Sequence, residues 1–278
     1  MKITIKTLVT LCVVSALTAA NALEVQLKAF DAPSGFLYHS EKTITLEYIV
    51  ENAELTLLSL PGGEGFLGFN KPFEAGRPLP QKISYNGRFS DIHKQLIDPE
   101  KFNRKINIVT VDSPYPLQDL KNQVNFGYPM DRSRAEHQDR LMDVFNHYRK
   151  TYNKPVWIFG HSNGTFSTTT FIQTLKKAGR LHELAGIVLS GSRDVIDIAE
   201  PINMPIIFVH HEKDGCKTNS YADAVKHFEQ FKTINKQRTE FFTVTGGNPE
   251  DKNPCDSGLH MYFNAYDEVA TLLNKTLK

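Results

Sequence analysis

The chain has 278 residues, 40% hydrophobic and 23% charged, a balance that excludes wholesale disorder and fibrous architectures. Its 32 lysines and arginines meet 31 aspartates and glutamates, for a net charge of +1. A duplex-DNA binder needs a clear basic excess to displace counterions, and no such excess exists here, so no nucleic-acid partner is expected.

The first 22 residues have the composition of a targeting segment. Lys2 and Lys6 form a basic head, an apolar run follows from Leu8 to about Ala20, and Ala20-Asn21-Ala22 places small residues where a signal peptidase reads. The run is shorter than the roughly 20 residues that span a bilayer, so cleavage rather than anchoring is expected. Residues 1–22 are therefore read as a signal peptide and 23–278 as a single domain. The mature protein is expected to be periplasmic or secreted, without stable membrane insertion. Cys12 leaves with the signal, and Cys216 and Cys255 remain as an even pair in an oxidising compartment. A disulfide between them is the natural expectation.

Along the mature chain, residues 25–30, 43–50 and 55–60 read as strands, and this opening resembles an antiparallel meander. Gly, Pro and Asn then dominate up to about residue 104, with one helix expected near 91–98. A regular alternation follows. Strands are expected at 106–111, 155–159, 184–190, 205–210 and 240–245. Helices are expected at 131–150, 165–178, 222–231 and 261–277. Leu141, Val144, Phe145 and Tyr148 form the apolar stripe of the first of these helices, and Tyr262, Tyr266, Val269 and Leu273 that of the last. Strand and helix periods alternating in this way predict an α/β fold, a mostly parallel sheet with helices on both faces.

The residues suited to chemistry fall after strands. Gly160-His161-Ser162-Asn163-Gly164 lies between a strand and a helix. A serine there needs a very tight turn, and glycines on either side remove Cβ atoms that would collide. The turn lifts the Ser162 hydroxyl clear of the sheet and aims a helix N-terminus at it. A serine hydroxyl reacts only if a base takes its proton and an acid orients that base. Asp214 follows the strand at 205–210, in His211-Glu212-Lys213-Asp214, and His260 follows the final strand, in Gly258-Leu259-His260. Asp194 is the rival acid and Glu212 a weaker one. His210 and His211 are adjacent, but neighbouring strand residues face opposite ways, so no metal is expected. His161 is expected to pack beside the site rather than act as base. For an oxyanion hole, the amide of Asn163 pairs with one from Gly62 or Gly63, in Pro61-Gly62-Gly63-Glu64-Gly65, where glycines let the main chain approach a reacting carbonyl. Tyr115, Phe126, Tyr128 and residues 65–73 are candidates for lining the substrate pocket, with a core role equally open.

These motifs resemble those of the α/β-hydrolase superfamily over nearly all of the mature chain. GHSNG is similar to its nucleophile elbow, HHEKD to its acid loop and GLH to its histidine loop. HHEKDGC with a later cysteine before the histidine is similar to a group of exported bacterial hydrolases. The resemblance implies an eight-stranded sheet, a Ser162–Asp214–His260 triad and cofactor-free hydrolysis of an ester or related acyl bond in a small-molecule substrate. Thioesterase, acyltransferase or peptidase chemistry on the same triad, and a non-catalytic binding protein on the same scaffold, are the alternatives. PGGEG departs from the histidine-led HGGG of many esterases. Only 52 residues separate Ser162 from Asp214, which leaves no room for a large lid between them. A Cys216–Cys255 bridge would tie the acid loop to the base loop.

Overall fold

In the computed structural model, residues 25–31, 42–63, 65, 67, 104–112, 130–198, 201–249, 254–255 and 258–277 are described. The signal segment, the helix expected at 91–98, and Tyr115, Phe126 and Tyr128 lie outside the described residues.

Eight strands form one sheet: β1 (Val25–Phe30), β2 (Thr43–Tyr48), β3 (Leu55–Leu60), β4 (Ile106–Asp112), β5 (Val156–His161), β6 (Leu184–Ser190), β7 (Ile206–His211) and β8 (Thr239–Val244), in the order β1-β2-β4-β3-β5-β6-β7-β8. The β1–β2 and β2–β4 pairs are antiparallel and the remaining pairs parallel. The expected opening meander is therefore corrected. β3 does not pair with β2 but runs between β4 and β5, parallel to both. All six of its residues are buried, including Thr56 and Ser59. An apolar strand buried on both faces belongs inside a parallel sheet rather than near its edge.

Among the described residues four α-helices cover the sheet: α1 (Ala135–Tyr152), α2 (Asn163–Lys177), α3 (Tyr221–Ile234) and α4 (Tyr266–Thr276). Alternate residues of β5 divide the core. Val156 and Ile158 pack with Leu141, Val144, Phe145 and Phe171 of α1 and α2. Trp157 and Phe159 pack on the opposite face, with Val269 and Leu273 of α4. The period of two on the strands and of 3.6 on the helices thus meets in two apolar layers.

Two helix starts differ from expectation. A 3₁₀ turn, Met130–Ser133, precedes α1, which begins at Ala135. α4 begins at Tyr266 rather than at 261, because Tyr262 (φ +52°) and Asn264 (φ +61°) are left-handed and cannot continue a right-handed helix. Tyr262 therefore lies outside the helix, although its ring packs in the same apolar cluster as Val269 and Leu273. Its hydroxyl, fully buried, donates to the Val209 carbonyl (2.8 Å), accepts from the Gly191 amide (3.1 Å) and lies 2.9 Å from Ser190 Oγ. This ties the turn carrying His260 to the C-terminal ends of β6 and β7. Leu67, in the stretch considered for a pocket wall, is instead buried with Ile44 and Leu46.

Candidate active site

The C-terminal ends of β3, β5, β6 and β7 gather the predicted residues at one edge, where open α/β sheets place their ligands. β5 ends at His161 and α2 begins at Asn163, so Ser162 makes the whole connection. Its backbone is held at φ +52°, ψ −122°, a conformation that costs a non-glycine residue on the order of 1–3 kcal/mol and is kept only where neighbours dictate it. The Ser162 amide donates to the Ser190 carbonyl (2.9 Å), and its carbonyl accepts from the amide (2.9 Å) and hydroxyl (2.6 Å) of Thr165. A Cβ on Gly164 would overlap the Leu60 carbonyl oxygen, and one on Gly62 would sit 2.9 Å from Ser162 Cβ. The glycines are required by close approach of β3 and its following loop to the serine turn. Ser162 itself is only half-buried.

His260 and Asp214 meet directly. Nδ1 of His260 lies 2.7 Å from Oδ2 of Asp214, and both side chains are no more than 1% exposed. An ionised carboxylate only accepts, so Nδ1 carries the proton and Nε2 keeps the lone pair. Nε2 is buried and has no hydrogen-bond partner among the described residues. Asp214 takes two further donors. Its Oδ1 accepts from the Cys216 amide (2.9 Å), and its Oδ2 lies 3.2 Å from His210 Nε2. The Ser192 amide donates to His210 Nδ1 (3.3 Å), which places the His210 proton on Nε2, facing Asp214 and the Asn219 carbonyl (2.9 Å). Burial alone would raise the Asp214 carboxyl pKa, but hydrogen bonds from His210 and His260 outweigh it and hold the group well below its usual 3.8. The rival acids are occupied elsewhere: Asp194 pairs with Arg193 (3.3 Å) and Glu212 with Lys213 (3.3 Å).

Residues 190 and 191 border both Ser162, whose amide donates to the Ser190 carbonyl, and His260. A Cβ at Gly191 would lie 3.1 Å from His260 Cε1, and the Gly191 carbonyl accepts from Asn219 Nδ2 (2.6 Å). The same Nδ2 is 3.5 Å from Ser162 Oγ. No hydrogen bond joins Ser162 Oγ to His260 Nε2; serine–histidine contacts in unliganded sites are often long and tighten on substrate binding. His161 packs its ring 4.9 Å from that of His260, with Nδ1 3.0 Å from Ser190 Oγ. It lines the site as expected. His211 turns the other way, with Nε2 on the Gly246 carbonyl (2.8 Å) and Nδ1 accepting from the Lys213 amide (2.9 Å).

Residues 61–63, the loop expected to supply the second oxyanion donor, lie against Ser162 through Gly62. Behind them is Arg132, 3% exposed. Its Nη2 donates to the carbonyls of Pro61 (3.0 Å), Gly62 (3.2 Å) and Gly63 (2.9 Å), and its Nη1 to Ser167 Oγ (3.0 Å). His137 Nε2 is also 3.0 Å from Ser167 Oγ. Burial, with Arg132 and Arg140 nearby, lowers the His137 pKa to about 3 and keeps that ring neutral. Asn163 Nδ2 donates to the Gly63 carbonyl (2.9 Å), while Asn163 Oδ1 accepts from Arg193.

Three residues at this edge escaped the sequence reading: Arg132, Asn219 and the second imidazole on Asp214, His210. No motif surrounds Arg132 or Asn219. His210 was visible only as half of a histidine pair, and strand alternation indicated correctly that the two would separate. Cys216 and Cys255 form the expected disulfide, at a sequence separation of 39.

Solved structures place this architecture. The chain is similar to a dienelactone hydrolase from Anabaena variabilis (15% identity, 91% of this chain and 97% of that chain, TM-score 0.56). It is also similar to a lidless α/β serine hydrolase from Xanthomonas campestris (10% identity, 91% and 94%, TM-score 0.55). A third is a cold-adapted esterase from an Arctic intertidal metagenomic library (12% identity, 93% and 96%, TM-score 0.57). No protein-family model and no curated protein matches the chain. The fold is that of the α/β-hydrolases: an open, mostly parallel eight-stranded sheet with helices on both faces. Between Ser162 and Asp214 the described residues form only α2, a 3₁₀ turn, β6, β7 and their connections, so no lid domain is inserted there.

Proposed function

We propose that the protein is a serine hydrolase that cleaves a carboxylic ester, or a related acyl bond, through an acyl-enzyme on Ser162. The observation that carries this reading is the 2.7 Å contact between Asp214 and His260 Nδ1, which leaves a buried, unpartnered Nε2 at the edge where Ser162 is presented. In this mechanism Nε2 takes the Ser162 proton as Oγ attacks the acyl carbon. The imidazolium formed is stabilised by Asp214 and then protonates the departing alcohol. Water, deprotonated by the same Nε2, releases the acid and restores Ser162. The amides of Asn163 and of Gly62 or Gly63 hold the oxyanion. Hydrolase and esterase names among proteins of the same fold support the class of reaction, and the absence of a lid insertion between Ser162 and Asp214 favours small, accessible substrates.

A fluorophosphonate probe tests the reading. The wild-type protein is expected to label at Ser162, and Ser162→Ala is expected to abolish both labelling and turnover of p-nitrophenyl acetate. Folded wild-type protein that neither labels nor turns over the ester would favour a binding protein on the hydrolase scaffold.

The site is further proposed to work in an exported compartment. Support comes from the basic and apolar N-terminal segment and from a disulfide whose Cys255 end is exposed. Fractionation and N-terminal sequencing are expected to recover a periplasmic or secreted chain beginning at residue 23. An uncleaved chain in the cytosol would overturn this.

A further inference from the structure

We infer that Arg132 is a positioning residue for the oxyanion hole: its buried guanidinium holds the carbonyls of residues 61–63 on one side so that the amides of Gly62 and Gly63 face Ser162. The inference rests on the serine-hydrolase reading and extends it to a residue on neither motif loop.

The argument begins with the peptide unit. In a planar trans peptide the C=O of one residue and the N–H of the next point in opposite directions. The carbonyls of Pro61 and Gly62 both accept from Arg132 Nη2. The N–H groups of the same two peptide units, those of Gly62 and Gly63, therefore point away from Arg132. Ser162 lies close to this loop, since a Cβ on Gly62 would be 2.9 Å from Ser162 Cβ. The Gly63 carbonyl is held twice, by Arg132 and by Asn163 Nδ2 (2.9 Å). The alternative orientation, with a peptide flipped and its carbonyl toward the serine, would place a partial negative charge where an oxyanion develops. Glycine at 62 and 63 makes such flips easy, because nothing on Cα resists them. Arg132 opposes them with the charged N–H donors of Nη2, whose direction is fixed because Nη1 of the same planar group is anchored on Ser167.

The guanidinium is itself held. Its Nη1 donates to Ser167 on α2, the helix that Ser162 caps, and Gln138 Nε2 donates to the Arg132 carbonyl (2.6 Å). His137, on the same Ser167 hydroxyl, stays neutral and adds no competing charge. A cation at the carbonyl end of these peptides also polarises them, leaving their N–H ends more positive. Burying an arginine this deeply is costly unless its donors are used. Here they link the oxyanion loop to the helix of the nucleophile.

The test compares wild type, Arg132→Met and Arg132→Lys with p-nitrophenyl acetate and an alkyl boronic acid that mimics the tetrahedral intermediate. Arg132→Met is expected to lower kcat by about 10²-fold or more, the scale of losing one oxyanion donor, with KM within about three-fold. Boronate affinity should fall in parallel with kcat. Lysine, one compact ammonium in place of the fork, should restore part of both. Arg132→Ala should regain activity when guanidinium ion is added at millimolar concentration. A merely structural role would lower the amount of active protein, counted by fluorophosphonate titration, and leave kcat per labelled site unchanged; that result overturns the inference. Unchanged kcat in Arg132→Met, or a rise in KM alone, overturns it as well. Should Arg132→Met fail to fold, the same measurements on Arg132→Lys decide: kcat and boronate affinity equal to wild type would refute the role. Wild-type protein that neither labels nor turns over ester overturns both this inference and the serine-hydrolase reading, whereas active wild type with indifferent Arg132 variants overturns this one alone.

Discussion

Asp214→Asn is expected to lower kcat by about 10⁴-fold, the loss that follows when a triad histidine is left in the wrong tautomer. The environment of Asp214 makes asparagine a poor substitute in either orientation. Oδ2 faces His260 Nδ1 and His210 Nε2, and Oδ1 faces the Cys216 amide. An amide nitrogen at the first position meets two donors, and at the second it meets a backbone donor. Either way a buried N–H opposes another N–H, or His260 gives up its Nδ1 proton and with it the free Nε2 lone pair. The carboxylate also contributes to stability. Its pKa in the folded protein lies below the ordinary 3.8, so its contribution is complete above that value and is lost as the pH falls further. The stability gap between wild type and Asp214→Asn should therefore be level from about pH 5 to 7 and close in acid, as urea unfolding would show. Activity within ten-fold of wild type would shift the acid's role to Asp194 or Glu212.

Reduction of the Cys216–Cys255 disulfide is expected to remove activity at temperatures where the fold still stands. The bridge closes a sequence separation of 39 residues, which in the chain-entropy model stabilises the fold by about 4 kcal/mol. For a domain of this size that corresponds to a fall in melting temperature of roughly 10 °C. The local effect comes first. Cys216 is buried, and its amide is the donor to Asp214 Oδ1, while Cys255 precedes His260 by five residues and is exposed to reductant. Gly215 also lies against Pro254. Cutting the bridge frees both loops that carry the acid and the base, so their 2.7 Å contact loses its outer support. Ester turnover, circular dichroism and thiol counts taken together on the reduced protein and on Cys255→Ser should show kcat falling before ellipticity. Unchanged turnover under verified reduction would mean that the core alone holds the two loops.

Much of this edge was legible before any coordinates. The serine turn follows from Gly160 to Gly164 lying between an apolar strand and a helical period, because only a tight turn connects two such elements without a loop. Strand ends offered Asp214 and His260 as candidates beside Ser162, with Asp194 and Glu212 as rivals, and the resemblance to α/β-hydrolases supplied the order Ser162, Asp214, His260. Tyr262 shows where periodicity misleads: its spacing matches the stripe of α4, yet its left-handed backbone places it in the turn before the helix and its hydroxyl among β6 and β7. β3 shows the same for strand order. Its apolar run was recognisable, but sequence adjacency suggested pairing with β2, and burial on both faces put it between β4 and β5.

The sequence by itself determined most of the elements among the described residues, the parallel α/β class, the tight serine turn and the pairing of two cysteines, since each depends on residues close in the chain or on a simple count. Tertiary structure alone decided that Asp214 rather than Asp194 meets His260, that His210 shares the same carboxylate, and that Arg132 holds the loop at 61–63. Those contacts join residues far apart in the chain. They depend on strand order and on how loops fold over one sheet edge, where hydrogen-bond geometry resolves to a few tenths of an ångström what no local pattern encodes.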